Sequence, residues 1–277
     1  MMSERTQNIF MAKLSGQAER FDDMLFYMKA VVKQPQEMNM YEMDLFTMAC
    51  KSVIEARRVA IRSVDSMESE VEPHAQQQVD QYKAAIRMEL TEQITDILHI
   101  LDKYYLSETA TLGSKVFYYK MKGDYNRYLV ELQVENEPHR RYVLATIRAY
   151  VRASKYASSG LPEAHPQRLS LALNYSVFYS DYLNKPTIGL SIAKTEYKSG
   201  IDKLDDLPED LYRDAASHLR LLQDNIRMWE KIIAEAEAEA MWEKITAEAE
   251  AEASESYVDA SSDLRSPQNQ DQLETIS

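Results

Sequence analysis

Five residues in two segments of the chain have the types and spacing of an anion-binding site. Lys51 and Arg58 are seven residues apart, and on a helix this spacing returns both side chains to one face, two turns apart. In the second segment Asp124 precedes Arg127 by three residues, where a carboxylate can steady a guanidinium, and Tyr128 adds a hydroxyl. A phosphate dianion needs this combination of guanidinium forks, an ammonium group and a hydroxyl donor.

The same basic residues also have a simpler interpretation, because charged side chains on one helix face are often only solvated. Their spacing alone does not separate the two. An enzyme is not indicated, since the sequence contains no glycine-rich phosphate loop, no His-Glu-x-x-His motif and no Gly-x-Ser-x-Gly motif. We therefore predict no catalytic residues and no cofactor.

Residues that could bind a metal are few and scattered. The nearest motif is Asp96-Ile-Leu-His99, whereas a di-iron bundle requires two Glu-x-x-His motifs and two further glutamates. Cys50 is the only cysteine, which excludes a disulfide within the chain and a cysteine-based zinc site. We predict no metal site, and we interpret Cys50 as a small buried hydrophobic residue.

The elements that position these residues are predicted to be long helices. The 277 residues include only 6 glycines and 8 prolines, and apolar residues recur at spacings of three and four from Glu4 to Trp229. Breaks at the prolines divide this pattern into antiparallel helices, which predicts an all-α bundle. The predicted helices are 4–18, 21–34, 41–70, 75–105, 112–133, 138–159, 167–183, 188–204 and 209–232.

Most of the negative charge lies near the C-terminus. Of the formal net charge of -13, the segment from Glu230 to Ser277 carries -10, so the rest of the chain is only about -3. The body therefore has enough bases to form a positive patch. An acidic chain of this kind is an unlikely ligand for nucleic acid, and we expect no nucleic-acid partner.

The acidic segment contains a duplication. The 13 residues Met228–Ala240 recur as Met241–Ala253 with one difference, Ile233 against Thr246. On a continuous helix a shift of 13 residues leaves a rotation of about 220°, so the second copy cannot repeat the packing of the first. We expect a fraying helix followed by disorder. The predicted domains are a helical body, 1–232, and a flexible acidic tail, 233–277.

No segment approaches the eighteen consecutive apolar residues of a transmembrane helix, and Met1 to Phe10 lacks the apolar run of a signal peptide. We expect a cytoplasmic protein, also present in the nucleus, with no membrane partner.

Four spaced blocks of the sequence resemble the 14-3-3 family. They are Gln17–Met24, Lys115–Tyr128, Arg168–Tyr179 and Leu221–Trp229. The resemblance is collinear from about Glu4 to Trp229 and leaves out the tail. It implies a cup-shaped dimer of about nine antiparallel helices that form a concave groove. The implied function is that of a non-enzymatic adaptor whose basic groove binds phosphoserine or phosphothreonine peptides of client proteins.

The resemblance also implies roles for individual residues. Those that would hold the phosphate are Lys51, Arg58, Arg127 and Tyr128. Those that would contact the rest of the peptide are Lys120, Leu173, Asn174, Val177, Asp181, Leu221, Asn225 and Trp229. Those that would form a homodimer, or a heterodimer with a related chain, are Leu14, Ala18, Arg20, Asp23, Tyr82 and Glu89. Ordinary core packing remains the alternative for the apolar members, and an ordinary charged surface for the dimer residues.

Several residues depart from the family pattern, and three of these departures concern the groove. Glu55 replaces a small residue one helical turn from both Lys51 and Arg58, where a carboxylate would repel phosphate and could pair with Arg58. Ser217 and His218 replace apolar residues and make the far end of the groove more polar. The alternative function is therefore a helical scaffold of the same fold that binds its partners independently of phosphorylation.

Overall fold

Helices dominate the described part of the chain. The computed structural model describes residues 2–67, 72–104, 111–132 and 137–263, with residues 104, 137, 138 and 251–263 described by backbone alone. Within these ranges there are nine α-helices and no strands, which confirms the all-α prediction. The helices are α1 (Glu4–Gln17), α2 (Phe21–Val32), α3 (Met40–Met67), α4 (Gln76–Tyr104), α5 (Leu112–Leu132), α6 (Glu137–Gly160), α7 (Pro166–Val177), α8 (Pro186–Ile201) and α9 (Glu209–Asp263).

Local chemistry fixes several helix starts. The Ser3 side chain accepts a hydrogen bond of 3.2 Å from the Thr6 amide and caps α1. Helices α7 and α8 begin with Pro166 and Pro186, whose missing N–H would be unpaired in the first turn of any helix. The starts predicted from the sequence therefore lie within two residues of those observed.

Helix α5 is packed on two sides, and this fixes the residues that it carries. Its Tyr118 and Tyr125 belong to a core shared with α1 to α4, while its Val116 and Val130 belong to a second core with α6 and α7. At Gly123 a Cβ atom would lie 2.4 Å from the Tyr150 ring of α6. Only glycine permits this close approach of α5 and α6.

Helix α7 continues into a short π-helical turn, Phe178–Tyr182. Such turns occur mostly as single bulges and frequently at functional sites. Phe178 is buried in the second core, so the turn is anchored on one side. Tyr182 lies at its end, where its hydroxyl reaches α5.

The last helix is longer than predicted. It ends at Asp263 rather than at residue 232 and includes both copies of the duplication. Two contacts at i,i+4 support it, Lys231–Glu235 at 3.5 Å and Lys244–Glu248 at 3.8 Å. Alanine and glutamate are also good helix formers. The sequence prediction gave too much weight to repulsion between glutamates.

The chain divides into two compact units, Met1–Gln223 and Asp224–Ser277. Within the second unit the two copies of the duplication differ in burial. Trp229 is 0% exposed, whereas Trp242 at the same position of the second copy is 67% exposed. This agrees with the expectation that the second copy does not repeat the packing of the first.

Candidate functional site

Arg58 of α3 and Arg127 of α5 converge on one aromatic ring. The guanidinium carbons of Arg58 and Arg127 lie 4.9 Å and 4.7 Å from the centre of the Tyr128 ring. A guanidinium within about 6 Å of an aromatic ring is attracted by the electron density of its face. Tyr128 therefore holds together two cations from separate helices, and three of the four predicted phosphate ligands form one cluster.

Arg127 retains donor capacity within this cluster. Its Nη1 donates to the Tyr182 hydroxyl at 3.2 Å. Its Nε is buried and has no hydrogen-bond partner among the described residues. Burial alone would lower the pKa of Arg127, but nearby Tyr150 and Asp124 more than offset this effect and raise the pKa above its usual value. The side chain is therefore a permanent cation that its protein neighbours do not saturate.

Arg58, in contrast, is paired with two carboxylates. Its Nη1 donates to Glu55 Oε2 at 3.1 Å, and its Nη2 donates to Glu131 Oε1 and Oε2 at 2.8 and 3.1 Å. The contact with Glu55 agrees with the sequence analysis, which did not identify Glu131. Glu131 lies 73 residues from Arg58 in sequence, so no local pattern could have revealed the pair.

Asp124 organises the floor of the site. Its Oδ2 accepts a bond of 2.9 Å from Lys120, and its Oδ1 accepts bonds of 2.7 Å from the Tyr150 hydroxyl and from the Asn174 amide. Burial would raise the pKa of Asp124, but the charges of Lys120 and Arg127 bring it below its usual value. The sequence predicted an interaction between Asp124 and Arg127. In the structure this interaction is one of charge, and the hydrogen bonds of Asp124 are made with other groups.

Lys51 lies close enough to this network to respond to it. Loss of hydration and the positive charge of Lys120 lower its pKa, and the negative charge of Asp124 acts in the opposite sense. Like charges held near one another are disfavoured until an anion joins them. Lys51 and Lys120 are therefore placed to gain from an anionic ligand.

His218 brings the first part of α9 to the same region. Its Nδ1 lies 2.7 Å from the carbonyl oxygen of Asp214. Burial lowers its pKa, and the charges of Lys120 and Lys51 also lower it. The lowered pKa favours a neutral ring, which adds polar surface near the two lysines.

The other predicted peptide contacts lie on α7, on the π-helical turn that follows it and on α9. Asn174 is half-buried with its amide bonded to Asp124, and Leu173 and Val177 are half-buried beside it in α7. Asp181 and Leu221 are exposed. The remaining two belong to the second unit, where Asn225 is half-buried and Trp229 is buried, and their role in peptide binding stays a prediction.

The predicted dimer residues lie at the surface of the chain. Leu14, Ala18 and Tyr82 are exposed. Arg20 forms an ion pair with Asp23 of its own helix turn. Glu89 accepts bonds of 3.0 and 2.7 Å from Arg57 of α3, which holds α3 and α4 together. Leu14 and Tyr82 are large side chains with 47% and 63% of their surface exposed.

Within the described ranges, no group of three or more histidine, cysteine, aspartate or glutamate side chains is placed to hold a metal ion. Asp96, part of the one motif considered, is paired with Lys29. Among the helices of these ranges, none combines the length and apolar character needed to cross a bilayer.

Comparison with known proteins agrees with the all-α fold. The family described as 14-3-3 protein matches residues 11–230. Protein BMH2 of Saccharomyces cerevisiae is 39% identical over 86% of this chain and 89% of its own length. A 14-3-3-like protein of Fucus vesiculosus is 41% identical over 85% and 94%, and 14-3-3 protein theta of Mus musculus is 38% identical over 86% and 97%. The chain therefore belongs to the 14-3-3 family, whose members are adaptors that bind client proteins and are not enzymes.

Proposed function

We propose that this protein binds clients through phosphoserine or phosphothreonine, with Arg58, Arg127, Tyr128 and Lys51 around the phosphate. The observation that carries the proposal is the convergence of Arg58 and Arg127 on the Tyr128 ring, at 4.9 and 4.7 Å. Recognition of phosphorylated motifs by clustered arginines is a general mode of peptide binding. Two guanidinium groups from separate helices on one ring are suited to grip one dianion from two sides.

The electrostatics of the free site favour such a ligand. A phosphate accepts charge-assisted hydrogen bonds from guanidinium and ammonium groups, each contributing about 1.5–3 kcal/mol. Arg127 has no carboxylate ion pair among the described residues, so its positive charge has no such competitor for a ligand. Lys51, whose pKa is lowered by loss of hydration and by Lys120, would be relieved of that repulsion when a dianion binds.

The peptide on either side of the phosphate would contact α5, α7 and α9. The Asn174 amide is fixed by Asp124 at 2.7 Å, which leaves its carbonyl oxygen for a peptide N–H. Leu173 and Val177 offer apolar surface beside it. The further contacts in this proposal are Lys120, Asp181 and Leu221, all within the first compact unit.

We also infer that two chains associate through α1, α2 and α4. Leu14 and Tyr82 are large exposed side chains, 47% and 63% exposed, and Ala18 permits a close approach. The charged residues Arg20, Asp23 and Glu89 would surround this apolar surface. A two-fold contact would place two phosphate sites on one assembly, and two phosphorylated sites in one client would then bind with increased avidity, by about 10²–10⁴.

One observation favours the alternative scaffold that does not read phosphate. Both terminal nitrogens of Arg58 already donate to protein carboxylates, at 2.8 to 3.1 Å. A site neutralised in this way could bind unmodified partners equally well. Arg127 argues against this alternative, because its guanidinium has no carboxylate ion pair among the described residues.

A titration separates the two functions. A fluorescent phosphoserine peptide and its unphosphorylated twin would be titrated against the full chain, with anisotropy as the readout. The proposed function predicts saturable binding of the phosphopeptide alone. Equal binding of both peptides, or binding of neither, would contradict the proposed function and favour the scaffold.

A further inference from the structure

Glu55 lies between two arginines on one face of α3. Its Oε2 accepts a bond of 3.1 Å from Arg58 Nη1, and its Oε1 accepts a bond of 2.5 Å from Arg62 Nη2. The Glu55 side chain is 50% exposed. It is therefore both an integral part of the basic cluster and accessible to a bound ligand.

An incoming phosphate competes with both carboxylates for Arg58, because a bidentate grip uses the terminal nitrogens that already donate to Glu55 and Glu131. Glu131 makes two bonds with Arg58, the shorter at 2.8 Å, whereas Glu55 makes one at 3.1 Å. Glu55 also keeps Arg62 as a partner when it releases Arg58. Glu55 is therefore the carboxylate that is exchanged at the lower cost in free energy.

Displacement leaves the Glu55 carboxylate close to a bound dianion. Arg62 neutralises it only in part, since both side chains are about half exposed and surface pairs are weak. A cationic side chain of the client, close in sequence to the phosphorylated residue, would be attracted to Glu55. Glu55 would then weaken binding of the phosphate itself but strengthen binding of peptides that carry a neighbouring arginine or lysine.

We propose that Glu55 is a specificity-determining residue. It competes with the phosphate for Arg58 and, once displaced, pairs with a cationic side chain of the client. This inference rests on the proposed function, because it concerns the same phosphate site. Its consequence is a site that discriminates against phosphopeptides without a neighbouring cation.

The test uses the full chain, the variant Glu55→Gln and the control Asp65→Asn. Asp65 is on the same helix, its side chain is 45% exposed, and it pairs with Lys83 at 2.6 Å, outside the cluster. The control therefore removes the same charge from a similar environment. The ligands are a phosphoserine peptide with alanine at all flanking positions and a series in which one arginine is moved through the four positions on either side.

We expect Glu55→Gln to bind the arginine-free phosphopeptide about two- to fivefold tighter than the unmodified chain, the range of exposed ion pairs. In the unmodified chain the best arginine-containing peptide should bind more tightly than the arginine-free peptide. We expect this ratio of affinities to fall by a similar factor in Glu55→Gln. Asp65→Asn should behave as the unmodified chain. Equal affinities of the unmodified chain and Glu55→Gln for all phosphopeptides would overturn the inference alone. Failure of both proteins to bind any phosphopeptide would overturn the proposed function with it.

A double-mutant cycle with Arg62→Gln tests the mechanism. Without Arg62, Glu55 has only Arg58 as a partner, so the arginine-free phosphopeptide should bind more weakly to Arg62→Gln. In the Glu55→Gln background the same change should have a clearly smaller effect. Additive effects would show that the two residues act separately and would contradict the exchange of partners.

Discussion

The side-chain amide of Asn174 donates a hydrogen bond of 2.7 Å to Asp124, 50 residues earlier in the chain. This contact joins α7 to α5, and Asp124 also accepts bonds from Lys120 and Tyr150. A single carboxylate thereby fixes groups from three helices beside the basic cluster. The rigidity of the site should depend on it.

Replacing Asp124 with asparagine should destabilise the fold by about 3 kcal/mol, because it removes the charge that Lys120 and two further donors require. Urea unfolding at pH 7 measures this change. Asp102→Asn is the control. Asp102 is half exposed and pairs with Lys122, which lies on the same helix as Asp124. Asn126→Asp would be unsuitable because Asn126 is itself buried. An equal loss in both variants would contradict a special role of Asp124.

The pH dependence of stability should identify the same carboxylate. Because the pKa of Asp124 in the folded state is below its usual value, its contribution is fully present above the pKa of an unfolded aspartate, about 3.9. The contribution is lost as the pH falls through the folded pKa. The difference in unfolding free energy between the unmodified chain and Asp124→Asn should therefore shrink below about pH 4. A constant difference down to pH 2 would be inconsistent with this assignment.

The close approach at Gly123 provides a second stability test. Alanine at this position would bring a Cβ atom to 2.4 Å from the Tyr150 ring, so α5 and α6 must separate, at a cost of about 1–3 kcal/mol. Gly113 of the same helix is a matched control, because a Cβ there meets no atom within 4 Å. Thermal unfolding should show a loss for Gly123→Ala and none for Gly113→Ala. Similar losses in both variants would contradict the close approach to Tyr150 as the cause, because alanine by itself favours a helix over glycine.

Cys50 should be inert in the folded protein. It is buried, as the sequence predicted, and burial raises the pKa of its thiol to about 12. Since the thiolate is the reactive form, alkylation with iodoacetamide at pH 8 should proceed only through unfolding. Mass spectrometry would follow the reaction with and without 6 M guanidinium chloride. Rapid labelling without denaturant would disprove the assignment.

The proposed dimer contact can be tested at Leu14. Glutamate at this position would place a charge in an apolar contact and should weaken association by roughly tenfold or more. Leu144→Glu is the control, since Leu144 is 46% exposed against 47% for Leu14 but lies on α6. Sedimentation velocity over a concentration series measures both. Unchanged association of Leu14→Glu would exclude this surface as the interface.

Local signals in the sequence predicted the helices well. Proline at the first position of α7 and α8 and the apolar spacing of three and four define starts within two residues of those observed. The end of α9 was predicted wrongly: the helix continues through about two-thirds of the segment predicted to be a tail. Alternating glutamate and alanine can indicate either repulsion between glutamates or a high helix propensity. Which of the two effects dominates depends on whether lysines such as Lys231 and Lys244 form ion pairs with the glutamates.

The site was predictable only in part. The spacing of Lys51 and Arg58 and the Asp124-x-x-Arg127 pattern are local and suggested an anion site, but the roles of these residues were assigned only through the resemblance to the 14-3-3 family. Glu131 and Tyr182 were missed, because they meet Arg58 and Arg127 across separations of 73 and 55 residues. Such contacts are set by packing between helices, and a single sequence carries no local signal of them.

The affinity of a phosphoserine peptide for chains altered at Arg58 and Arg127 tests the central claim most directly. Each of Arg58→Ala and Arg127→Ala should weaken binding about ten- to hundredfold, in line with about 1.5–3 kcal/mol for each charge-assisted bond. Arg152→Ala removes an arginine from α6 that lies over Tyr119 at 5.7 Å, and it should bind the peptide as the unmodified chain does. Full affinity in an Arg58→Ala/Arg127→Ala double variant would contradict the account.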